Sequence, residues 1–234
     1  MLRDKVVIIT GAGSGLGREL SILLAQKDAI VILVGRREKK LEETAKLIEE
    51  VGGISDLFSL DISISAEVKD FFNSIKQKYS RVDILINNAG VGSFANLEDL
   101  EIKDIDRMID SNLKGTIYFT REVLYIMKEK NSGQIINIIS TAGMRGKAQE
   151  SVYAASKFGV SGLTKSLQQE LKQTRVKVTG VFVGGMQTEF WDQSKQETSS
   201  FMLASDVAEV VGELIRKADN MQVSEIVIDR KWCI

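Results

Sequence analysis

Residues 6–17, with the sequence VVIITGAGSGLG, decide the fold. The first four are apolar and β-branched, which is typical of a parallel strand with both faces buried. Four glycines follow, and an amphipathic helical pattern begins directly after them. Glycine lets the backbone turn tightly and approach a pyrophosphate, which then lies at the positive N-terminus of the helix. The spacing G-x-x-x-G-x-G differs from the usual G-x-G-x-x-G fingerprint. The candidate cofactor-binding residues of this turn are Gly11, Gly13, Ser14, Gly15, Leu16 and Gly17.

The same alternation of strand and helix continues along the chain. Short β-branched runs predict strands at Lys5–Thr10, Ile30–Gly35, Asp56–Leu60, Val82–Asn87, Gln134–Ser140, Lys177–Val183 and Glu225–Ile228. Helical patterns lie near 15–28, 38–51, 65–79, 101–130, 152–173 and 205–218. Such alternation indicates right-handed βαβ units and a doubly wound α/β sheet. No linker or repeat interrupts it, so residues 1–234 are expected to form a single domain.

Composition excludes several classes of function. The chain has 234 residues, a formal net charge of -1, no histidine, no proline and one cysteine, Cys233. Without histidine, Ser-His-Asp and Cys-His catalysis is excluded, and with one cysteine so are ordinary zinc sites and an intrachain disulfide. Charges of both signs are interspersed, and the apolar run after the N-terminus is too short for a signal peptide or a membrane span. We therefore expect a cytoplasmic protein with no metal, no nucleic-acid partner and no membrane partner.

Tyr153, Lys157 and Ser140 are candidate catalytic residues. A helix that begins near Ser151 places Tyr153 and Lys157 on one face, because residues four apart are neighbours on a helix. An ammonium beside a phenol favours the phenolate and lowers its pKa, which is normally about 10. Tyr153 would then donate and accept protons near neutral pH. The alternative is that Tyr-x-x-x-Lys is an ordinary surface pattern.

The end of the second predicted strand bears on the choice of cofactor. The usual fingerprint places an Asp or Glu there to bind the ribose 2′-hydroxyl of NAD, whereas this chain has Arg36 and Arg37. A guanidinium suits a 2′-phosphate. We therefore expect NADP(H) as the preferred cofactor, with NAD(H) as the second choice. The alternative is that both arginines simply open a solvated helix.

Two further strand ends carry candidate cofactor contacts. The carboxylate of Asp61 could accept from the adenine amino group while the N–H of Ile62 completes the contact, or it could cap the following turn. Asn88, Ala89 and Gly90 follow the fourth strand and let the backbone pass close to the cofactor. Turn chemistry alone would also explain these residues.

Residues 184–204 form the least regular stretch and follow a strand end, where open α/β sheets bind ligands. Phe190 and Trp191, beside polar residues, predict a lid over a substrate and are candidate substrate-binding residues. The alternative is a surface loop whose aromatic side chains dock on the body of the protein.

Taken together, these features resemble the short-chain dehydrogenase/reductase family, and the match runs nearly end to end. The matching elements, in order and at the family's spacing, are Thr10–Gly17 (TGAGSGLG), Asp61, Asn87–Gly90 (NNAG), Asn112 in SNLKG, Ser140 and Tyr153–Lys157 (YAASK). The resemblance implies a Rossmann-type, mostly parallel seven-stranded sheet with helices on both faces. It also implies a homodimer or homotetramer formed through the two long helices.

Carried over residue by residue, the resemblance gives each candidate a role. Tyr153 would be the general acid in carbonyl reduction and would contact both substrate and cofactor. Lys157 would lower its pKa and hold the nicotinamide ribose. Ser140 would hydrogen-bond the substrate oxygen, and Asn112 would hold a water that links Lys157 to solvent.

The chain departs from the family where prolines are expected. Many members have Pro-Gly after the sixth strand, whereas this chain has Val183-Gly184-Gly185. Gly184 and Thr188 would still contact the cofactor. The missing proline frees the backbone and restores an N–H, so we expect a less preorganised 184–204 segment.

The leading prediction is an NADP(H)-dependent oxidoreductase that interconverts a small-molecule ketone or aldehyde and an alcohol by hydride transfer. Arg145 could meet a carboxylate, which would indicate an NAD(P)-dependent 3-hydroxy acid dehydrogenase. A catalytically silent nucleotide-sensing protein is a third interpretation. Arg36 and the Tyr153/Lys157 pair disfavour a methyltransferase, and the lack of a larger C-terminal substrate domain disfavours a sugar epimerase.

Overall fold

A seven-stranded sheet with helices on both faces organises the protein. The computed structural model describes residues 2–192, 197–215 and 221–231. Its strands are β1 Val6–Thr10, β2 Ile30–Gly35, β3 Ile54–Ser59, β4 Ile84–Asn87, β5 Gly133–Ile138, β6 Val176–Val183, β7 Met186–Gln187, β8 Met202–Leu203 and β9 Glu225–Ile228. Its α-helices are α1 Gly15–Ala25, α2 Glu38–Glu50, α3 Ser65–Tyr79, α4 Ile102–Met108, α5 Gly115–Glu129, α6 Ser151–Glu170 and α7 Ala204–Ile215.

The strand order confirms the predicted fold class. The order in the main sheet is β3-β2-β1-β4-β5-β6-β9, and all of these pairings are parallel. The chain runs outward from β1 to β3 and then returns to continue on the other side at β4. Ligands of open α/β sheets bind at such a switch point, beyond the carboxyl ends of the strands. A separate parallel pair, β7 and β8, lies within the 184–204 segment.

Each face of the sheet has its own hydrophobic core, because successive side chains of a strand point to opposite faces. In β1, Val7 and Ile9 pack with residues of α1, α2 and α7. Val6 and Ile8 pack with residues of α3, α5 and α6. All four side chains are buried, which explains why the strand is continuously apolar.

Four phenylalanines form the centre of the second core. Phe71 lies 5.0 Å from both Phe58 and Phe72, measured between ring centroids, and Phe119 lies 5.4 and 5.3 Å from Phe71 and Phe72. Phe119 is completely buried. These rings bind α3 and α5 to each other and to β3.

The predicted helix over 101–130 is wrong as one continuous helix. Residues 102–129 divide into α4, a π-helical turn at Ile109–Lys114, and α5. The predicted helix over 205–218 is found as Ala204–Ile215, and its last predicted residues lie outside the described ones, as does Cys233. Over the described residues, no helix is long and apolar enough to cross a membrane, and no cluster of His, Cys, Asp or Glu side chains is placed to hold a metal ion.

The aromatic cluster predicts a large effect of one substitution. Phe119→Ala should lower the free energy of unfolding by about 3 to 5 kcal/mol, because the ring is fully buried and its loss leaves a cavity. Phe119→Leu retains most of the volume and should cost less than half as much. Urea unfolding followed by circular dichroism measures both. Equal losses for Ala and Leu would show that the ring's volume is not what stabilises this core.

Candidate active site

The glycine turn is hydrogen-bonded to the end of β4. Thr10 Oγ1 accepts from the backbone N–H groups of Asn88 and Ala89, each at 3.0 Å. Asn88 Nδ2 donates to the carbonyl oxygen of Thr10 at 2.9 Å and lies 3.4 Å from that of Gly11. Two of the predicted cofactor-binding segments, 11–17 and 88–90, are therefore brought together at the switch point.

At Gly17, in the first turn of α1, there is no room for a side chain. A Cβ atom at Gly17 would lie 2.2 Å from the carbonyl oxygen of Gly11, whose φ of 69° favours glycine. Ser14 does not cap α1 through its side chain, and the first turn contains no acidic residue. Free N–H groups at a helix N-terminus suit an anion. The residues present therefore fit the pyrophosphate of a dinucleotide.

Ser140, Tyr153 and Lys157 meet where the end of β5 approaches α6. Ser140 Oγ accepts from the N–H of Ala142 at 3.1 Å, and Ser140 lies close enough to the Tyr153 hydroxyl to lower its pKa. Lys157 Nζ donates to the carbonyl oxygen of Ile138 at 3.2 Å and lies 5.8 Å from the centroid of the Tyr153 ring. The sequence pattern and the folded geometry thus place the same three side chains at the carboxyl edge of the sheet.

Burial shifts the pKa values of both Tyr153 and Lys157. The ring of Tyr153 keeps some exposure, but its hydroxyl is enclosed. Burial raises the pKa of Tyr153 to about 12, although the hydrogen bond with Ser140 lowers it, and Glu150 raises it further. Burial also lowers the pKa of Lys157 to about 8. We expected Lys157 to lower the pKa of Tyr153, but this pKa lies above its usual value, because lost hydration is the largest influence on it. At neutral pH Tyr153 is a protonated phenol.

Asn112 fixes the loop after β4 to α6. Its Oδ1 accepts from the N–H of Val91 at 2.8 Å, and its Nδ2 donates to the carbonyl oxygen of Val91 at 2.9 Å. Nδ2 also donates to Ser156 Oγ at 3.0 Å, on the turn of α6 between Tyr153 and Lys157. Asn112 therefore positions the site through its side chain. The water that the resemblance assigns to it stays a prediction.

Aromatic rings cover Tyr153. The ring centroids of Phe94 and Phe190 lie 5.5 and 5.9 Å from that of Tyr153. Trp191 stacks on Phe94 at 5.1 Å and contacts Phe201 at 5.4 Å. Phe190 and Trp191 thus lie beside Tyr153. Phe201 was not predicted, because nothing in its sequence neighbourhood indicates a contact with Trp191.

Arg36 lies beside Asp61 after β2 and β3. Its Nη1 atom is 3.7 Å from Asp61 Oδ2. Asp61 Oδ1 accepts from the backbone N–H and the hydroxyl of Ser63, at 2.9 and 2.7 Å, so this oxygen caps the following turn. Burial alone would raise the pKa of Asp61, but the bonds from Ser63 and the charge of Arg36 hold it below its usual value. Ile62 is buried under the loop.

Arg37 belongs to a second charged cluster, at the glycine turn. Its Nη2 donates to Ser14 Oγ at 3.1 Å, and its Nη1 lies 3.4 Å from Glu189 Oε2. Lys40 Nζ lies 3.5 Å from Glu189 Oε1. Sequence reasoning missed Lys40, which lies in the first turn of α2, shortly after Arg37, whose backbone is extended, and Glu38, where the helix begins. It also missed Glu189, for which the sequence gives no signal.

Gly184 and Thr188 lie on either side of β7, at the start of the 184–204 segment. The N–H of Gly184 donates to the carbonyl oxygen of Ile228 at 2.8 Å and so continues the pairing of β6 with β9. Thr188 packs on the first turn of α1, where a Cβ atom at Gly15 would be 3.0 Å from Thr188 Cγ2.

Known proteins share this sequence and this architecture. The model of the short chain dehydrogenase family matches residues 5–199. An uncharacterised oxidoreductase of Staphylococcus aureus is 32% identical over 228 residues, which cover 97% of this chain and 98% of the relative. A metagenomic short-chain oxidoreductase in complex with NADP has a TM-score of 0.87 at 31% identity, with 99% of each chain covered. Serine dehydrogenase complexed with NADP+ has a TM-score of 0.89 at 31% identity, over 95% of this chain and 94% of that one. The sequence match over most of the chain and the shared fold show that this protein belongs to the short-chain dehydrogenase family of oxidoreductases.

Proposed function

We propose that the protein is an NADP(H)-dependent oxidoreductase that interconverts a ketone or aldehyde and an alcohol, with Tyr153 as the general acid and base. The observation that carries the proposal is the meeting of Ser140, Tyr153 and Lys157 beside the glycine turn. A silent nucleotide-sensing protein would have no need of this arrangement.

Side chains of the protein would supply the proton that the reduction needs. When bound, the nicotinamide supplies the hydride to the carbonyl carbon in reduction and accepts it in oxidation. Tyr153 donates its proton to the carbonyl oxygen, and Ser140 hydrogen-bonds that oxygen as negative charge develops. Lys157 places a cationic donor below the ring, where it stabilises the phenolate that remains. Asn112 keeps α6 and the loop after β4 in register during this transfer.

The charged residues after β2 support NADP(H) as the preferred cofactor. Arg37 reaches Ser14 on the glycine turn, and Lys40 lies on the same side. Guanidinium and ammonium groups suit a 2′-phosphate, whereas an NAD-binding site places a carboxylate here. Similar proteins have been solved with NADP.

The aromatic cover supports an apolar carbonyl substrate. Phe94, Phe190 and Trp191 would contact a substrate held at Tyr153, and flat apolar rings favour a cyclic or aromatic ketone. A 3-hydroxy acid is the second candidate, since serine dehydrogenase is among the similar structures. It is less well supported because Arg145, which would have to meet the carboxylate, lies 3.6 Å from Asp229.

We also propose a homodimer or homotetramer formed through α5 and α6. Each helix carries a large exposed aromatic side chain, Tyr125 on α5 and Phe158 on α6, which are 55% and 46% exposed. Exposed aromatic residues are enriched at protein interfaces.

Removing the Tyr153 hydroxyl tests the mechanism. Tyr153→Phe should lower kcat/KM by about a thousandfold or more, because it removes the proton donor and keeps the ring. The dissociation constant of NADPH should change little. The assay follows NADPH oxidation over a panel of cyclic and aromatic ketones, aldehydes and 3-oxo esters. Tyr125→Phe, an exposed tyrosine on α5, is the matched control. Full activity of Tyr153→Phe on a good substrate would refute the assignment.

Neutralising Arg37 tests the cofactor preference. Arg37→Gln should raise the KM for NADPH by about tenfold and leave the KM for NADH nearly unchanged, since only NADPH carries the 2′-phosphate. Arg175→Gln is the control, because this exposed arginine precedes β6 at the opposite edge of the sheet. A wild-type enzyme that prefers NADH would contradict the proposal.

The buried ammonium predicts a pH-dependent stability. The pKa of Lys157 falls from 10.5 in the unfolded chain to about 8 in the fold, so the folded state disfavours the charged form. Its contribution is fully present above pH 10.5 and is lost as the pH falls through about 8. Relative to Lys157→Met, the wild type should gain as much as about 3 kcal/mol across this window. Urea unfolding at a series of pH values measures the difference. A difference independent of pH would show that Lys157 has the same pKa in the folded and unfolded states.

A further inference from the structure

A carboxylate of the 184–204 segment lies on two cations at the start of α2, beside the glycine turn. Glu189 begins the short turn Glu189–Trp191. Its Oε2 and Oε1 atoms lie 3.4 Å from Arg37 Nη1 and 3.5 Å from Lys40 Nζ. More than a hundred residues separate it along the chain from these partners. The pairing therefore exists only in the folded protein and joins the segment to the cofactor side of the site.

The same cations are those that the proposed function assigns to a 2′-phosphate. Arg37 Nη2 is bonded to Ser14 Oγ at 3.1 Å, and Lys40 packs against Gly13, where a Cβ atom would be 2.9 Å from Lys40 Cβ. We propose that Glu189 occupies the place of the cofactor's 2′-phosphate and that the phosphate displaces it from Arg37 and Lys40. This inference rests on the proposed preference for NADP(H).

Displacement, rather than joint binding, follows from charge. Two anions held by the same two donors repel each other, and the phosphate has both the larger charge and more acceptor oxygens. The ion pairs of Glu189 are exposed to solvent, with Arg37 62% and Glu189 37% exposed. Pairs of this kind contribute little to stability, so a phosphate can replace them. Lys40 also lies 3.3 Å from Glu43, which divides its charge between two carboxylates.

The displacement would reach the substrate side through two covalent neighbours. Glu189 is followed directly by Phe190 and Trp191, which pack against Tyr153 and Phe94. A shift of Glu189 moves the turn that carries both rings. NADP(H) would therefore loosen the cover over Tyr153, whereas NAD(H), which has no 2′-phosphate, would leave Glu189 in place. Glu189 thus determines cofactor specificity at the substrate step as well as at binding.

The test uses nucleotides that lack the nicotinamide, so that only the phosphate end is probed. Adenosine 2′,5′-bisphosphate and adenosine 5′-monophosphate are titrated calorimetrically into the full chain and into Glu189→Gln. The bisphosphate should bind Glu189→Gln about three- to tenfold more tightly than wild type, because no carboxylate has to be displaced. The monophosphate should bind both proteins equally.

Trp191 reports the movement of the turn. The chain has two tryptophans, so Trp232→Phe leaves Trp191 as the single indole fluorophore. In this background the bisphosphate should shift the emission and the monophosphate should not. Glu189→Gln should show much of that shift without nucleotide. Glu43→Gln is the matched control: it removes the same charge beside Lys40 but lies on α2, so it should strengthen bisphosphate binding without shifting the emission of the free protein.

The outcomes separate this inference from the proposed function. Equal or weaker binding of the bisphosphate to Glu189→Gln would overturn the inference, and the cofactor preference would stand if Arg37→Gln still weakened binding. An emission shift equal for both nucleotides would also overturn it. If the bisphosphate bound no more tightly than the monophosphate to every variant, the NADP(H) preference itself would fail, and the inference with it.

Discussion

The hydroxyl of Thr10 accepts the backbone N–H groups of Asn88 and Ala89, and the site is built around this junction. β1 and β4 are adjacent in the sheet although two strands separate them in sequence. Their ends would otherwise open a cleft with unpaired backbone groups, which are costly to bury. Thr10 and Asn88 satisfy those groups and set the distance between the glycine turn and the loop that reaches Lys157.

A buried network of polar side chains continues these hydrogen bonds across the sheet. Asn87 Nδ2 donates to Thr120 Oγ1 on α5 and to Asn137 Oδ1 on β5, and Asn137 Nδ2 donates to Thr164 Oγ1 on α6. All four residues are buried, and removing one partner would leave another without its bond. These hydrogen bonds therefore fix α6 relative to β4 and β5. Because Tyr153 and Lys157 lie on α6, the same hydrogen bonds help to set their position.

The sequence was sufficient for features that arise from local patterns. The buried strands, the glycine turn and the one-turn spacing of Tyr153 and Lys157 follow from periodicity and backbone geometry, and the fold class is confirmed. The π-helical turn at Ile109–Lys114 could not be predicted, because it places Asn112 against Val91 and Ser156, both far away in sequence. The pKa values of Tyr153 and Lys157 depend on burial, which only the packed fold defines.

The contacts that position the 184–204 segment could not be predicted from the sequence either. Its two ends are joined by backbone and side-chain bonds: Met202 N–H donates to Gly185 O at 3.1 Å, and Gln187 Nε2 donates to Phe201 O at 2.9 Å. The N–H of Gly184 also ties this base to β9, through its hydrogen bond to the carbonyl oxygen of Ile228. The turn at Glu189–Trp191 lies beyond these bonds. Its position is set by one carboxylate on two cations and by aromatic contacts, which are weak, separable interactions. A segment anchored at its base and weakly held at its tip responds to a charged ligand at the tip without disturbing the sheet beneath it.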